Sequence, residues 1–254
     1  MSDIKERTKG TITEFTIEAT QLNRTKTIWV YLPYNYEEQP EARFPVIYMH
    51  DGQNVFDHAE SPKREWHVED KLNDLHSEAI IVGIEHGGNT HRIDELTPYG
   101  NDTHGGGHAN DYLDFLINTL KPYVDENYKT MADRDNTTIF GSSVGGLISF
   151  YALLKFPEVF GNAGVFSPSF WFSDDIYTFI KEVKNIEGRI YFMAGDHESK
   201  AMIPDLEHME QLVLQRTQNK SQVHKKIVHN GHHNEKLWRT QFPDAYKWLI
   251  TGNA

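Results

Sequence analysis

Residues 137–146 read Thr-Thr-Ile-Phe-Gly-Ser-Ser-Val-Gly-Gly, and Leu147–Leu154 behind them read Leu-Ile-Ser-Phe-Tyr-Ala-Leu-Leu. A short β-branched run passes directly into a helical apolar run, with only small residues and one valine at the join. The join matches G-x-S-x-G with Ser143 at its centre. A chain that leaves a strand and enters a helix this abruptly holds the central residue in a strained conformation. Its hydroxyl is then exposed at the carboxyl end of a sheet, beside a helix N-terminus. The dipole and free N–H groups there favour developing negative charge. Ser143 therefore reads as a nucleophile, and Ser142, one residue early, as a turn residue.

Outward from this join, apolar strand-like runs alternate with amphipathic stretches. Toward the N-terminus lie Pro45–Met49 and Ala79–Ile84, apolar on both faces as central parallel strands are, with a crossover helix at Glu65–Leu75. Thr13–Thr20 and Thr25–Leu32, joined by Gln21-Leu22-Asn23-Arg24, predict an antiparallel hairpin at one edge. Asn110–Tyr128 predicts a helix that Pro122 bends or breaks. Toward the C-terminus, strands are predicted at Ala163–Phe166, Arg189–Met193 and Lys225–Val228, with helices at Ile176–Lys184, Asp205–Arg216 and Lys236–Ile250. The expectation is one α/β domain over 1–254, with a mostly parallel sheet of about eight strands and an antiparallel N-terminal edge. Residues 86–108, rich in Gly and His, are expected to form a long loop on the active-site side.

Composition narrows the chemistry. The 254 residues carry a formal charge of −12, which disfavours a nucleic-acid partner. There is no cysteine, so thiolate nucleophiles, disulfides and cysteine-ligated metals are excluded. No apolar run approaches the ~20 residues of a membrane span, and no secretory signal opens the chain. A cytoplasmic protein is expected, with a homodimer left open.

A serine needs a base and the base an orienting acid, and in this fold both follow the serine in the chain. His232 and His233 lie in a loop between the last strand and the last helix; position does not choose between them. Asp196 and Glu198 both follow the preceding strand. For an oxyanion hole, the Val144 N–H follows the nucleophile and the Gln53 N–H lies in the loop after an early strand. Asp51, Arg92 and Trp171 are expected on the substrate side. Arg92 has the fork to bind a carboxylate, although a solvated loop arginine is the commoner outcome.

Together, Val46–Asp57 with its His-Asp-Gly-Gln loop, the elbow at 141–146 and Gly231-His232-His233-Asn234-Glu235 carry a resemblance. Val82–Glu85, Arg92–Pro98 and Ser167–Trp171 extend it over about residues 12–250. The chain resembles the esterase D-like "putative esterase" family of α/β-hydrolases, which includes feruloyl and acetyl-xylan esterases and siderophore trilactone esterases. The resemblance implies Glu198 as the acid, from a Gly-x-x-acid pattern at Gly195, and His233 as the base, from its spacing to Trp238. It implies ester hydrolysis of a small-molecule substrate with no cofactor. Rival readings are a hydrolase-fold binding protein without catalysis and a metal-dependent hydrolase using His86, His91, His104 and His108. The complete serine–acid–histidine set argues against the first. Gly105-Gly106-Gly107 between two of the histidines argues against the second, so no metal is expected.

Overall fold

The computed structural model describes residues 9–57 and 65–252. Its strands are β1 (Thr11–Ala19), β2 (Arg24–Leu32), β3 (Val46–Met49), β4 (Ile80–Ile84), β5 (Thr137–Ser142), β6 (Asn162–Phe166), β7 (Arg189–Gly195) and β8 (Val223–Val228). They form one sheet in the order β1-β2-β4-β3-β5-β6-β7-β8. β1 and β2 form the antiparallel hairpin, β2 runs antiparallel to β4, and all remaining pairs are parallel. Every residue of β3, β4, β5 and β6 is buried, as two-sided coverage by helices requires.

Side-chain alternation sends neighbouring residues of β5 to opposite layers. Ile139 joins a core with Leu147, Phe150, Phe170 and Phe192, whereas Phe140 joins a second with Trp66, Phe166, Trp238 and Phe242. On the first face, helix α5 (Val144–Lys155) is buried along all but its last residue. A helix apolar on every side belongs in the interior.

The 86–108 segment is more ordered than its composition suggests, because it contains helix α2 (Asn89–Leu96). The reason is a long-range buried ion pair. Lys26, 1% exposed on β2, donates to Glu95 Oε2 at 2.6 Å and to the Glu85 carbonyl at 2.8 Å. Arg24 lies 3.0 Å from the other Glu95 oxygen. Pro122 leaves its mark as expected: the 110–128 helix is interrupted by a π-helical turn at Leu116–Leu120, just before the proline.

Removing one partner of a buried pair strands the other charge. Glu95→Ala is therefore expected to lower unfolding stability by roughly 3–5 kcal/mol in urea titration. A loss below about 0.5 kcal/mol, the level of an ordinary surface substitution, would show that the pair does not anchor α2.

Candidate active site

β3 and β5 are neighbours, yet the chain leaves β3 toward β4 and β5 toward β6. Open α/β sheets bind ligands at the carboxyl ends of strands at such a reversal point. His50 and Asp51 follow β3 there, and Ser143 follows β5. Ser143 sits at φ 61°, ψ −124°, a conformation that costs on the order of 1–3 kcal/mol in a non-glycine residue. Its backbone is held from three sides. The Ser143 N–H donates to the Phe166 carbonyl at 3.0 Å, and its own carbonyl accepts from Ser169 N–H and Leu147 N–H, each at 3.1 Å. A Cβ on Gly141 would lie 2.7 Å from the Gly145 carbonyl, and one on Gly146 2.6 Å from the Phe166 carbonyl oxygen, so both positions must be glycine.

Glu198 and His233 come from the loops after β7 and β8. The His233 Nδ1–H donates to Glu198 Oε2 at 2.6 Å, since an ionised carboxylate only accepts. The Glu198 side chain is 1% exposed and that of His233 36%. The other Glu198 oxygen accepts from Gly195 N–H at 2.6 Å and Ser167 Oγ–H at 2.7 Å. The Ser167 hydroxyl in turn accepts from the Trp238 indole N–H at 2.8 Å. The Trp238 ring stands edge-on to His233 at 5.0 Å between centres. The buried carboxylate is thus fully supplied with donors and fixes one ring orientation of His233. The positioning roles of Ser167 and Trp238 were hidden in the sequence. The sequence marks only the Ser167–Trp171 segment and the spacing of Trp238 to His233; in the structure Ser167 directly follows β6 at φ 43°.

Asp196 is used differently. It accepts from His197 Nδ1 at 2.6 Å, His229 Nδ1 at 2.9 Å and Asn230 N–H at 2.7 Å. These bonds, those from the two histidines above all, lower its carboxyl to about 2. Of the two carboxylates and two histidines left open by position, the hydrogen-bonded pair is Glu198 with His233. His232 is exposed, with His197 as its ring neighbour.

Ser143 and His233 line two cavities together. One, of about 290 Å³, is polar and is walled by His50, Asp51, Asn54, His86, Arg92 and Trp238 among others. The other, of about 380 Å³, runs past Ser169, Trp171, Ala201 and Met202. The nearest hydroxyl partner of Ser143 Oγ is Ser169 Oγ at 3.4 Å, and no Ser143–His233 hydrogen bond is formed in this resting arrangement. Trp171 is 51% exposed and packs against His104.

Arg92 is not a solvated loop residue. Asp51, turned by its φ of 58°, receives the Arg92 Nε–H at 2.6 Å and an Nη2–H at 2.7 Å. Burial works to raise the Asp51 carboxyl, but the guanidinium overcomes it and holds the group below the usual range. Val144 N–H opens α5 and so has no i−4 carbonyl within its helix. The Gln53 side chain clasps the His86 backbone, donating at 3.0 Å and accepting at 3.1 Å. His50 is buried beneath the elbow, its Nδ1 2.7 Å from the Tyr112 hydroxyl. Burial lowers its imidazole to about 3.

The histidines of the 86–108 segment are dispersed. His86 accepts from Gly88 N–H at 3.1 Å, His91 pairs with Arg24 at 2.9 Å, and His108 lies 3.8 Å from Asp111. Among the described residues, metal-type clusters of three form elsewhere, at Asp57, Glu65, His67 and at His67, Glu69, Asp70. No helix of the described residues is long and apolar enough to cross a membrane.

Comparison with known proteins adds family context. The family model described as "Putative esterase" matches residues 19–249. The uncharacterized protein YbbA of Bacillus subtilis is 27% identical over 245 residues, covering 91% of this chain and 94% of that protein. The ferri-bacillibactin esterase BesA of the same organism is 28% identical over 182 residues, 63% of this chain and 62% of that one. A solved ferulic acid esterase superposes with a TM-score of 0.75 at 17% identity, covering 96% of this chain and 99% of its own, a likeness of fold.

Two outcomes follow from the buried polar groups. His50 is neutral when folded down to about pH 3, whereas an unfolded histidine takes up its proton near 6.5. The unfolded state binds more protons in that window, so stability falls as pH drops from 6.5 toward 3. His50→Gln is expected to flatten this part of the melting temperature–pH curve, and an unchanged slope would contradict the assignment. Ser167→Ala leaves the Trp238 N–H and one Glu198 oxygen short of a partner. It should cost roughly 1–3 kcal/mol of stability and lower kcat with little change in KM. A change in KM alone would contradict a positioning role.

Proposed function

The chain belongs to the "Putative esterase" family and is a carboxylic ester hydrolase, and we propose that it works as a serine esterase through an acyl-enzyme. The observation that carries this reading is that Ser143, on its strained turn, and His233, held by Glu198, line the same cavities. Ser143 Oγ turns from Ser169 toward His233 once substrate fills the site; catalytic hydrogen bonds commonly tighten only then.

His233 Nε2 takes the hydroxyl proton as Oγ attacks the ester carbonyl carbon. The carbonyl π electrons move to oxygen, and the N–H groups of Val144 and Gln53 stabilise that oxyanion. Losing one such donor typically costs ~3–4 kcal/mol. Collapse of the tetrahedral species breaks the ester C–O bond, and His233 returns its proton to the departing alkoxide. Water, deprotonated by His233, then attacks the acyl-enzyme and releases the acid and free Ser143. Glu198 stays ionised throughout, orienting the imidazole and stabilising its protonated form. The chemistry needs no cofactor.

The substrate is a small ester with a short acyl group. Asp51 and Arg92 act as a pre-paired polar wall, and Trp171 as an aromatic face over the second cavity. The exposed indole supports a second reading, in which the substrate carries an aromatic ring near its ester, as a feruloyl ester does. The ester is then one of a carbohydrate or a siderophore trilactone, the latter in keeping with the ferri-bacillibactin esterase.

Steady-state hydrolysis of p-nitrophenyl acetate tests the roles. Ser143→Ala and His233→Ala should each lower kcat by on the order of 10⁴–10⁶, while His232→Ala stays near wild type. Full activity in Ser143→Ala, or equal small losses in the two histidine variants, would overturn the assignments.

A further inference from the structure

Ser169, in the loop after β6, brings a second hydroxyl to the nucleophile, and the acylation steps leave it unused. The residue is 2% exposed. Its backbone is fixed at both ends. The N–H donates to the Ser143 carbonyl at 3.1 Å, and the carbonyl accepts from Phe172 N–H at 3.1 Å. Phe170, next in the chain, is fully buried against Phe150 and Phe192. The Ser169 side chain therefore stands on a rigid support, as a group that must place a reactant precisely does.

Among the described residues, the hydrogen-bond partner of Ser169 Oγ is Ser143 Oγ, 3.4 Å away. That partner is lost when Ser143 Oγ turns to His233 and is acylated. A buried hydroxyl left unpaired is costly, so Ser169 takes a new partner at that stage. The cavity of about 380 Å³ that Ser169 lines with Ser143 and His233 has room for water, whose share of the liquid is about 30 Å³. Neighbouring polar groups in its wall are already occupied. Both Glu198 oxygens accept hydrogen bonds, and Ser199 Oγ accepts from Met202 N–H at 3.1 Å. Ala201 and Met202 are apolar.

We infer that Ser169 Oγ binds the water that hydrolyses the acyl-enzyme, and so is a catalytic residue of the second half-reaction. The inference rests on the serine-esterase reading. Ser169 Oγ accepts one hydrogen of the water, and His233 Nε2 takes the other as a proton while the water oxygen attacks the acyl carbonyl carbon. The tetrahedral species then collapses. Its bond to Ser143 Oγ breaks, His233 returns the proton to Oγ, and the free acid departs. Acylation uses no water, so it does not depend on this contact.

Pre-steady-state kinetics with p-nitrophenyl acetate separate the two halves. The burst of p-nitrophenolate reports acylation. Decay of the acetyl-enzyme, followed by quenching and intact-mass measurement, reports deacylation. Ser169→Ala should keep the burst rate and kcat/KM but slow acetyl-enzyme decay by about 10- to 100-fold, the worth of one hydrogen bond to a reacting group. Its kcat and KM then fall together, which a loss of folding or of substrate binding would not produce. Ser169→Cys, close in shape with a weaker hydrogen-bonding group, should decay at a rate between those of Ser169→Ala and wild type. Unchanged decay in Ser169→Ala, or a burst slowed as much as the decay, overturns the inference. If Ser169→Ala does not fold by circular dichroism, the decay in Ser169→Cys decides by the same criteria. A wild-type protein that forms no acetyl adduct on Ser143 refutes the serine-esterase reading itself. An adduct on Ser143 that decays equally fast in all three proteins refutes the role of Ser169 alone.

Discussion

The turn from β5 into α5 leaves no room for a side chain at Gly141 or Gly146, and it forces Ser143 into a conformation that serine rarely adopts. Such a turn forms only where packing on both sides overdetermines it. Here β5 is buried end to end, α5 is buried almost throughout, and the Phe166 carbonyl and Ser169 amide hold the Ser143 peptide in place. The parallel sheet and its two apolar layers thus place one hydroxyl at the reversal point between β3 and β5.

The same logic governs the acid. A carboxylate that is 1% exposed is tolerated only when its lone pairs are occupied. Glu198 meets this with Gly195, Ser167 and His233, and the Ser167 hydroxyl is itself fixed by Trp238. The chain of contacts ties the β6, β7 and β8 ends and the last helix to one imidazole orientation. Around this centre lie a polar wall whose charges are already paired, Asp51 with Arg92, and the exposed Trp171 that lines the second cavity.

What could be read in advance was what local rules govern. The elbow is a steric statement about consecutive residues, and the buried strands announce themselves by being apolar on both faces. Pro122 marked a helical irregularity because it lacks an N–H. What stayed hidden depends on residues far apart in sequence. Ser167 meets Trp238 71 positions away, and Lys26 meets Glu95 69 positions away. Helix α2 is illegible in the sequence for that reason, since its Gly- and His-rich surroundings read as a loop and the Lys26–Glu95 contact joins distant residues. Adjacent candidates such as His232 and His233 differ only in which way a loop turns them. Position alone left them equal, the family resemblance favoured one, and the Glu198 contact falls on that one.

In the proposed mechanism a single hydroxyl, at Ser143, is the activated nucleophile. Incubation with a fluorophosphonate, followed by intact-mass measurement and peptide mapping, tests it directly. A single adduct per chain on the peptide bearing Ser143, formed in step with loss of esterase activity, is the predicted result. An enzyme that stays active and unlabelled, or that carries its adduct on Ser142 or Ser169, would contradict it.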